Sequence, residues 1–412
     1  MLRPLGLASA LALSLAACSG GAEGSESAAS GSATTTDGGA TAATETSTST
    51  GTDAGTESDT DTGGPIDYDA PGPHPVGNQR FTLMSGERSL LVEVWYPADA
   101  SAAAAAALGH PIADFVPAGP DRDAMDGWLA SLSPAGQIGT RLQTSSAFGA
   151  AIAGGGPWPL VVFSHCHGCA RFSAFTLAER LASHGFVVAA PDHQDNTLFD
   201  NTALLGEDFL VIRRQDLQAV LDALLGDAAE VPAGLHGQID GGRIGAMGHS
   251  FGAATVGRIL QDDPRVLAAL PIAAPVENPL FPGTTVAAIT RPMLMIRAME
   301  DNSILVIGNN LIKSNFDAAN PPVWRVDVAD AGHWNFSDIC GLTGDLEPGC
   351  GEGTRQTAPG EAFTYLDIDV ARGLAGAYAT AFFDLHLRGN ADAAARLEVA
   401  EPAAWVTVER RE

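Results

Sequence analysis

The sequence predicts an α/β fold, with a mostly parallel central sheet, helices on both faces and an N-terminal antiparallel hairpin. Three observations predict it. Several short segments are continuously apolar, as strands buried on both faces must be. Helical-period segments separate them, and Gly or Pro marks most of the junctions. In order, Arg80–Met84 and Ser89–Tyr96 read as the hairpin, with Ser85-Gly86-Glu87-Arg88 as its turn. Residues 98–157 carry an Ala run, Pro and Gly without a clear period, and read as an insertion with short helices. Pro159–Phe163 is a buried strand, Phe172–His184 an amphipathic helix stopped at Gly185, and Phe186–Ala190 a strand. Phe209–Leu225 is a helix, Arg243–Met247 a strand, Phe251–Leu260 a helix and Val266–Ala273 a strand. Pro292–Arg297 and Val323–Val328 are strands, and Asp367–Arg388 is a long closing helix. In such sheets chemistry gathers at the carboxyl ends of the strands.

Composition excludes some functions. Of 412 residues 45% are hydrophobic, too many for a wholly disordered chain. The net charge is −27, and the 22 basic residues (21 Arg and Lys313) are scattered, which excludes the basic stripe that nucleic-acid binding needs.

Three domains are expected: a signal peptide over 1–17, a tether over 18–70 and a folded domain over 71–412. One Arg and the apolar stretch Leu5–Ala17 suit the core of a secretory signal and are too short to span a bilayer. Leu15-Ala16-Ala17-Cys18 resembles a bacterial lipobox, which implies cleavage before Cys18, its acylation and a lipid anchor in the cell envelope. Ser19 after the Cys favours an outer-membrane address. Residues 19–70 are Ser, Thr, Gly, Ala and ten acids almost throughout, without Lys or Arg. Such a segment offers little to bury and is expected to be a disordered spacer of about 40 Å root-mean-square length. Setting Cys18 aside, Cys166, Cys169, Cys340 and Cys350 remain, an even number that suits two disulfides in an oxidising compartment. Local pairing, Cys166 with Cys169 and Cys340 with Cys350, is the simplest of three connectivities, and cross-pairing stays open.

The chemistry centres on Gly248-His249-Ser250-Phe251-Gly252, between a predicted strand and a predicted helix. In that context G-x-S-x-G forms a sharp turn that lifts the Ser oxygen into the open. The N–H of Phe251 then points to where an oxyanion would form. A Ser hydroxyl needs a base, and the base an orienting acid, in the chain order Ser, acid, His. Two His follow Ser250. His333 sits in a Gly-flanked loop just past a strand, and His386 lies inside the closing helix, where a surface or packing role is expected. His333 is therefore the expected base. Asp301, just past the strand ending at Arg297, is the expected acid, with Glu300 and Glu277 as alternatives. The second oxyanion donor is expected from the loop after Pro159–Phe163, at the N–H of His167. That loop, His165-Cys166-His167-Gly168-Cys169, is rich in metal-ligand types, but its spacing does not match a structural zinc site, and no metal is expected.

The segments VWYP (94–97), VFSH (162–165), LASHGF (181–186), APDH (190–193), GHSFGAATV (248–256) and HWNFSD (333–338) resemble the platelet-activating-factor acetylhydrolase and dienelactone-hydrolase group of α/β-hydrolases. The resemblance implies the α/β-hydrolase fold and hydrolysis of short-acyl esters, acetyl-phospholipid-like ones included, without a cofactor. It puts the nucleophile on Ser250, the base on His333 and the oxyanion amides on His167 and Phe251. Two departures stand out. The acetylhydrolase branch carries its acid where this chain has Ala273, so the acid must come from elsewhere, and Asp301 occupies the site used by most of the fold. The loop pattern S-H-G-L-G is here Ser164-His165-Cys166-His167-Gly168.

The sequence reading is thus a surface-tethered serine ester hydrolase, with Trp334 and Phe251 shaping the pocket. Its partners would be a small ester or lipid substrate and, through the anchor, a membrane. The alternatives are a non-catalytic cell-surface binding protein on the same scaffold, and a polyesterase or lipase-type hydrolase.

Overall fold

The computed structural model describes residues 66–132, 143–200, 205–346 and 349–412. The signal peptide, Cys18 and all but the last residues of the tether lie outside these. The hairpin is β1 (Val76–Ser85) and β2 (Arg88–Pro97), paired antiparallel. The insertion holds α1 (Ala103–Leu108), α2 (Pro120–Ser131) and a short strand, β3 (Ser146–Phe148), which pairs parallel with β1. Then follow β4 (Trp158–Ser164), α3 (Phe175–Ser183), β5 (Val187–Pro191), α4 (Glu207–Leu225), β6 (Ile239–His249), α5 (Phe251–Asp262) and β7 (Val266–Ile272). The chain continues through β8 (Met293–Ala298), α6 (Leu305–Ala318), β9 (Val323–Val328), a small hairpin of β10 (Glu352–Thr354) and β11 (Ala362–Thr364), α7 (Ile368–Phe383), α8 (Ala393–Glu398) and β12 (Val406–Arg411).

The large sheet has the order β12-β9-β8-β7-β6-β4-β5-β2-β1-β3. From β9 to β5 every pair is parallel, and the antiparallel pairs lie at the two sides. Strand β4 shows why its central residues, 160–163, are all apolar. Val161 and Phe163 enter one core cluster, with α3 and α7 residues such as Leu177 and Tyr378. Leu160 and Val162 enter the other, with α4 and α5 residues such as Leu217 and Ile259. Each face is buried, so both alternate positions take apolar side chains over this stretch. The parallel strands all deliver their carboxyl ends to one edge, and this edge carries Ser250, Asp301 and His333.

Several expected elements differ in extent. The closing helix is capped by Asp367, which accepts the N–H of Asp369 at 2.9 Å, and from Asp384 to Arg388 it loosens into a π-turn that stops at Gly389. Helix α6 and strand β12 have no counterpart among the predicted elements. Helix α6 hides its amphipathicity, since Leu305, Val306 and Ile307 are exposed while Asn309 and Asn315 are buried. Those two amides hydrogen-bond backbone at Ala298 and Glu277. Ordered chain also begins before residue 71. The Tyr68 ring is buried and its hydroxyl donates to Asp384 at 2.7 Å, and Asp69 pairs with Arg396.

The insertion is tied to α3 by Glu179, whose carboxyl accepts the N–H of Ser145 at 2.9 Å and the hydroxyl of Ser146 at 2.8 Å. Burial pushes the Glu179 pKa up to about 7, from an ordinary 4.5. Between those values the folded protein holds a proton that the unfolded chain has released, so stability falls as pH rises through this window. The loss traceable to this group is about 3 kcal/mol. Denaturant unfolding at pH 4.5 and 7.5 is expected to show a steeper fall for the wild type than for Glu179→Gln, and equal slopes would contradict this.

Candidate active site

Ser250 sits at the junction of β6 and α5 with φ 58° and ψ −121°. A non-glycine residue there costs about 1–3 kcal/mol and persists only where its surroundings over-determine it. The surroundings do so. The Ser250 N–H donates to the Ile272 carbonyl of β7 at 2.9 Å. A Cβ on Gly248 would lie 2.3 Å from the Gly252 carbonyl oxygen, and one on Gly252 would lie 1.9 Å from the Ser164 carbonyl oxygen. Both positions therefore admit glycine alone.

The turn leaves Ser250 partly exposed and brings its Oγ to 2.8 Å from Nε2 of His333, in the short helical turn after β9. His333 Nδ1 lies 2.7 Å from Oδ2 of Asp301, in the loop after β8. A carboxylate only accepts, so Nδ1 carries the proton and Nε2 is free to accept from the Ser hydroxyl. Asp301 is fully buried, and its other oxygen accepts the N–H groups of Ser303 and Ile304, each at 2.9 Å. The three residues thus come together across the carboxyl ends of β6, β8 and β9. The alternative acids are engaged elsewhere. Glu300 binds the backbone of Gln356 and Thr357, while Glu277 accepts the N–H of Val286. His386 packs between Trp324 and Phe382, where burial lowers its pKa to about 4 and keeps it neutral.

The loop expected to supply the second oxyanion donor follows β4, which neighbours β6 with Ser164 opposite Gly248. The close approach of Gly252 to the carbonyls of Ser164 and His165 sets this loop directly beside the turn. His167 is partly exposed there, between Cys166 and Cys169, which form one disulfide; Cys340 and Cys350 form the other. The pairing occupies both sulfurs of the loop. Trp334 packs edge-on against His333 at 5.0 Å between centroids, beside the site. The Phe251 ring lies in a buried cluster with Phe209, Leu210 and Ala254.

Four supports went unread in the sequence. His249 donates from Nε2 to the carbonyl of His333 at 2.9 Å, and burial lowers its pKa to about 3, which keeps it neutral. Asn335 accepts the Gly332 N–H at 2.6 Å. Asp338 accepts from Thr176 and pairs with Arg372, anchoring the far end of the same turn. The fourth support is a second Ser–His–Asp relay. His193 lies 3.0 Å from the Ser164 hydroxyl and 2.9 Å from the Asp216 carboxylate, and all three are fully buried. Burial and the nearby Arg213 and Arg88 cations hold His193 neutral. Arg213, itself buried, donates to Ser164 and to the carbonyl of His165. With no access to solvent this relay braces the loop after β4. Ser164 and His193 lie in the VFSH and APDH segments of the resemblance, while Asp216 comes from α4, outside them.

A family model described as platelet-activating factor acetylhydrolase, isoform II, matches residues 67–206, and one described as PET hydrolase-like matches residues 155–311. A solved ferulic acid esterase from Streptomyces cinnamoneus superposes with a TM-score of 0.59 at 26% identity, covering 78% of this chain and 93% of that one. The chain has the α/β-hydrolase fold. Among curated relatives it is similar to a cutinase, Est2, of Thermobifida alba, at 36% identity over 30% of this chain and 36% of that protein. It is also similar to the platelet-activating factor acetylhydrolases of Bos taurus (29% identity; 30% and 36% covered) and Canis lupus familiaris (26%; 57% and 58%). The matches span between about a third and three fifths of the length of these curated relatives.

His249→Phe keeps a ring of similar size but leaves the buried His333 carbonyl without its donor, a loss of about 1–3 kcal/mol. Denaturant unfolding is expected to show that loss, and p-nitrophenyl acetate turnover a fall in kcat larger than any change in KM. A variant matching the wild type in both would contradict this role for His249.

Proposed function

We propose that this α/β-hydrolase is an exported serine carboxyl-ester hydrolase that works through an acyl-enzyme. The observation that carries the reading is the relay Ser250–His333–Asp301, with contacts of 2.8 and 2.7 Å, at a strained turn on the carboxyl edge of the sheet. The Ser250 oxygen attacks the ester carbonyl as His333 Nε2 takes its proton. The N–H groups of Phe251 and His167 receive the oxyanion. Asp301 holds the imidazolium, which protonates the departing alkoxide. Water, deprotonated by His333, then releases the acid and restores the Ser hydroxyl. Every step is served by side-chain and backbone groups of this chain.

Similarity to acetylhydrolases, cutinases and a ferulic acid esterase supports carboxyl esters as the substrate class here. Short-acyl esters are the preferred substrates in this reading. A polyester is the second reading, favoured by the PET hydrolase-like match over the segment that carries Ser250. Two disulfides agree with export into an oxidising compartment. A lipid anchor at Cys18, in the outer membrane, would hold the domain on its tether near the cell surface.

A fluorophosphonate is expected to label the wild type and not Ser250→Ala, and absence of labelling in the wild type would favour a non-catalytic binding protein. Asp301→Asn is expected to lower kcat by roughly a thousand- to ten-thousandfold, while Glu277→Gln changes it little. The reverse pattern would move the acid to Glu277. Across p-nitrophenyl esters, kcat/KM is expected to be highest for acetate and butyrate, and a maximum at long chains would overturn the short-acyl preference.

A further inference from the structure

The loop after β4 contains a feature that the hydrolytic reading leaves unused. Cys166 and Cys169 are joined across a sequence separation of 3, and both are fully buried. The residues enclosed are His167 and Gly168, both partly exposed, with Gly168 in the left-handed region at φ 63°. We infer that the Cys166–Cys169 disulfide is a positioning clasp for the oxyanion site, holding the His167 N–H in place beside Ser250. The inference rests on the serine-hydrolase reading of Ser250 and deepens it.

The clasp is fixed at both ends and on one side. The Cys166 carbonyl accepts from His165 Nδ1 at 2.7 Å. His165 Nε2 accepts the backbone N–H of His193 at 3.1 Å, which ties the clasp to the buried Ser164–His193–Asp216 relay. The Cys169 carbonyl accepts the N–H of Leu198 at 2.6 Å, and Cys169 pairs with Thr197 as an isolated parallel bridge. Arg213 donates to the His165 carbonyl just upstream. The turn at Ser250 closes the remaining side, through Gly252 and the Ser164 carbonyl. Between these ties lie two residues, His167 and Gly168, and the disulfide spans them.

A global stabilising role is the competing account. In the chain-entropy description a cross-link stabilises by shrinking the unfolded ensemble, and its effect grows with loop length. Across three residues that effect is near its minimum, and the Cys340–Cys350 bond, across ten, has the larger one. The Cys166–Cys169 bond instead restricts the φ and ψ of His167 and Gly168. An oxyanion donor needs that restriction, because its N–H must aim at the position of the transition-state oxygen before the reaction begins.

The test is the double variant Cys166→Ala/Cys169→Ala, read against wild type with p-nitrophenyl butyrate and with an aryl boronic acid as a tetrahedral adduct on Ser250. The expected result is a ten- to hundredfold fall in kcat and a matching weakening of boronate binding, with KM within about threefold. Should the double variant not fold, the same reading comes from reduction of the Cys340→Ala/Cys350→Ala protein. There two equivalents of a monothiol reductant convert the Cys166–Cys169 disulfide to two thiols and leave as their own disulfide. Activity is expected to fall on reduction and return on reoxidation. Unchanged kcat and boronate affinity, or a loss of thermal stability with no preferential loss of kcat, would overturn the clasp. Failure of the wild type to hydrolyse any ester or take up a fluorophosphonate would overturn the hydrolase reading itself, a separate result.

Discussion

The tight turn at Ser250 is the constraint on which the rest of the site depends. A positive φ at a residue with a side chain is held there by crowding on every side. Ile272 of β7 accepts its N–H, Gly248 meets Gly252, and Gly252 meets the backbone of β4. These contacts reach three adjacent strands, so the hydroxyl is placed by the sheet and not by a loop. The same crowding brings the loop after β4 against the start of α5. The segment that leads to His167 and the start of α5 are therefore held together by the same contacts that hold the turn at Ser250.

The two Ser–His–Asp relays show that this residue constellation does not make a site by itself. Ser250–His333–Asp301 and Ser164–His193–Asp216 have nearly the same internal distances. They differ in backbone and in access. Ser164 closes a regular strand and is fully buried, whereas Ser250 stands on a strained bend and is partly exposed. A buried relay with neutral imidazole, braced by Arg213, makes good scaffolding because its polar groups satisfy one another. Its mechanical role is to hold the segment that leads into Cys166.

Much of this was legible in the sequence, for identifiable reasons. Continuous apolar runs such as Pro159–Phe163 announced strands buried on both faces, and the glycines around Ser250 announced a turn without room for side chains. His333 and Asp301 were legible because each follows a strand in the expected chain order. Helix α6 was illegible because its exposed end is apolar and its buried face carries Asn309 and Asn315, which are satisfied by distant backbone. The buried relay was illegible because Ser164, His193 and Asp216 meet only through the pairing of β4 with β5 and the packing of α4. Tyr68 was assigned to the tether by its neighbours' composition, although one aromatic ring with a hydrogen-bonded hydroxyl is enough to dock that end of the chain.

The central claim is that the Ser250 oxygen becomes covalently acylated during turnover. The direct measurement is peptide mapping by mass spectrometry of enzyme mixed with a short p-nitrophenyl ester and quenched in acid within the first turnovers. The account predicts one acyl group on the peptide that carries Ser250, in an amount that matches a burst of p-nitrophenol. Turnover without any acylated peptide, or with the acyl group on another residue, would contradict it.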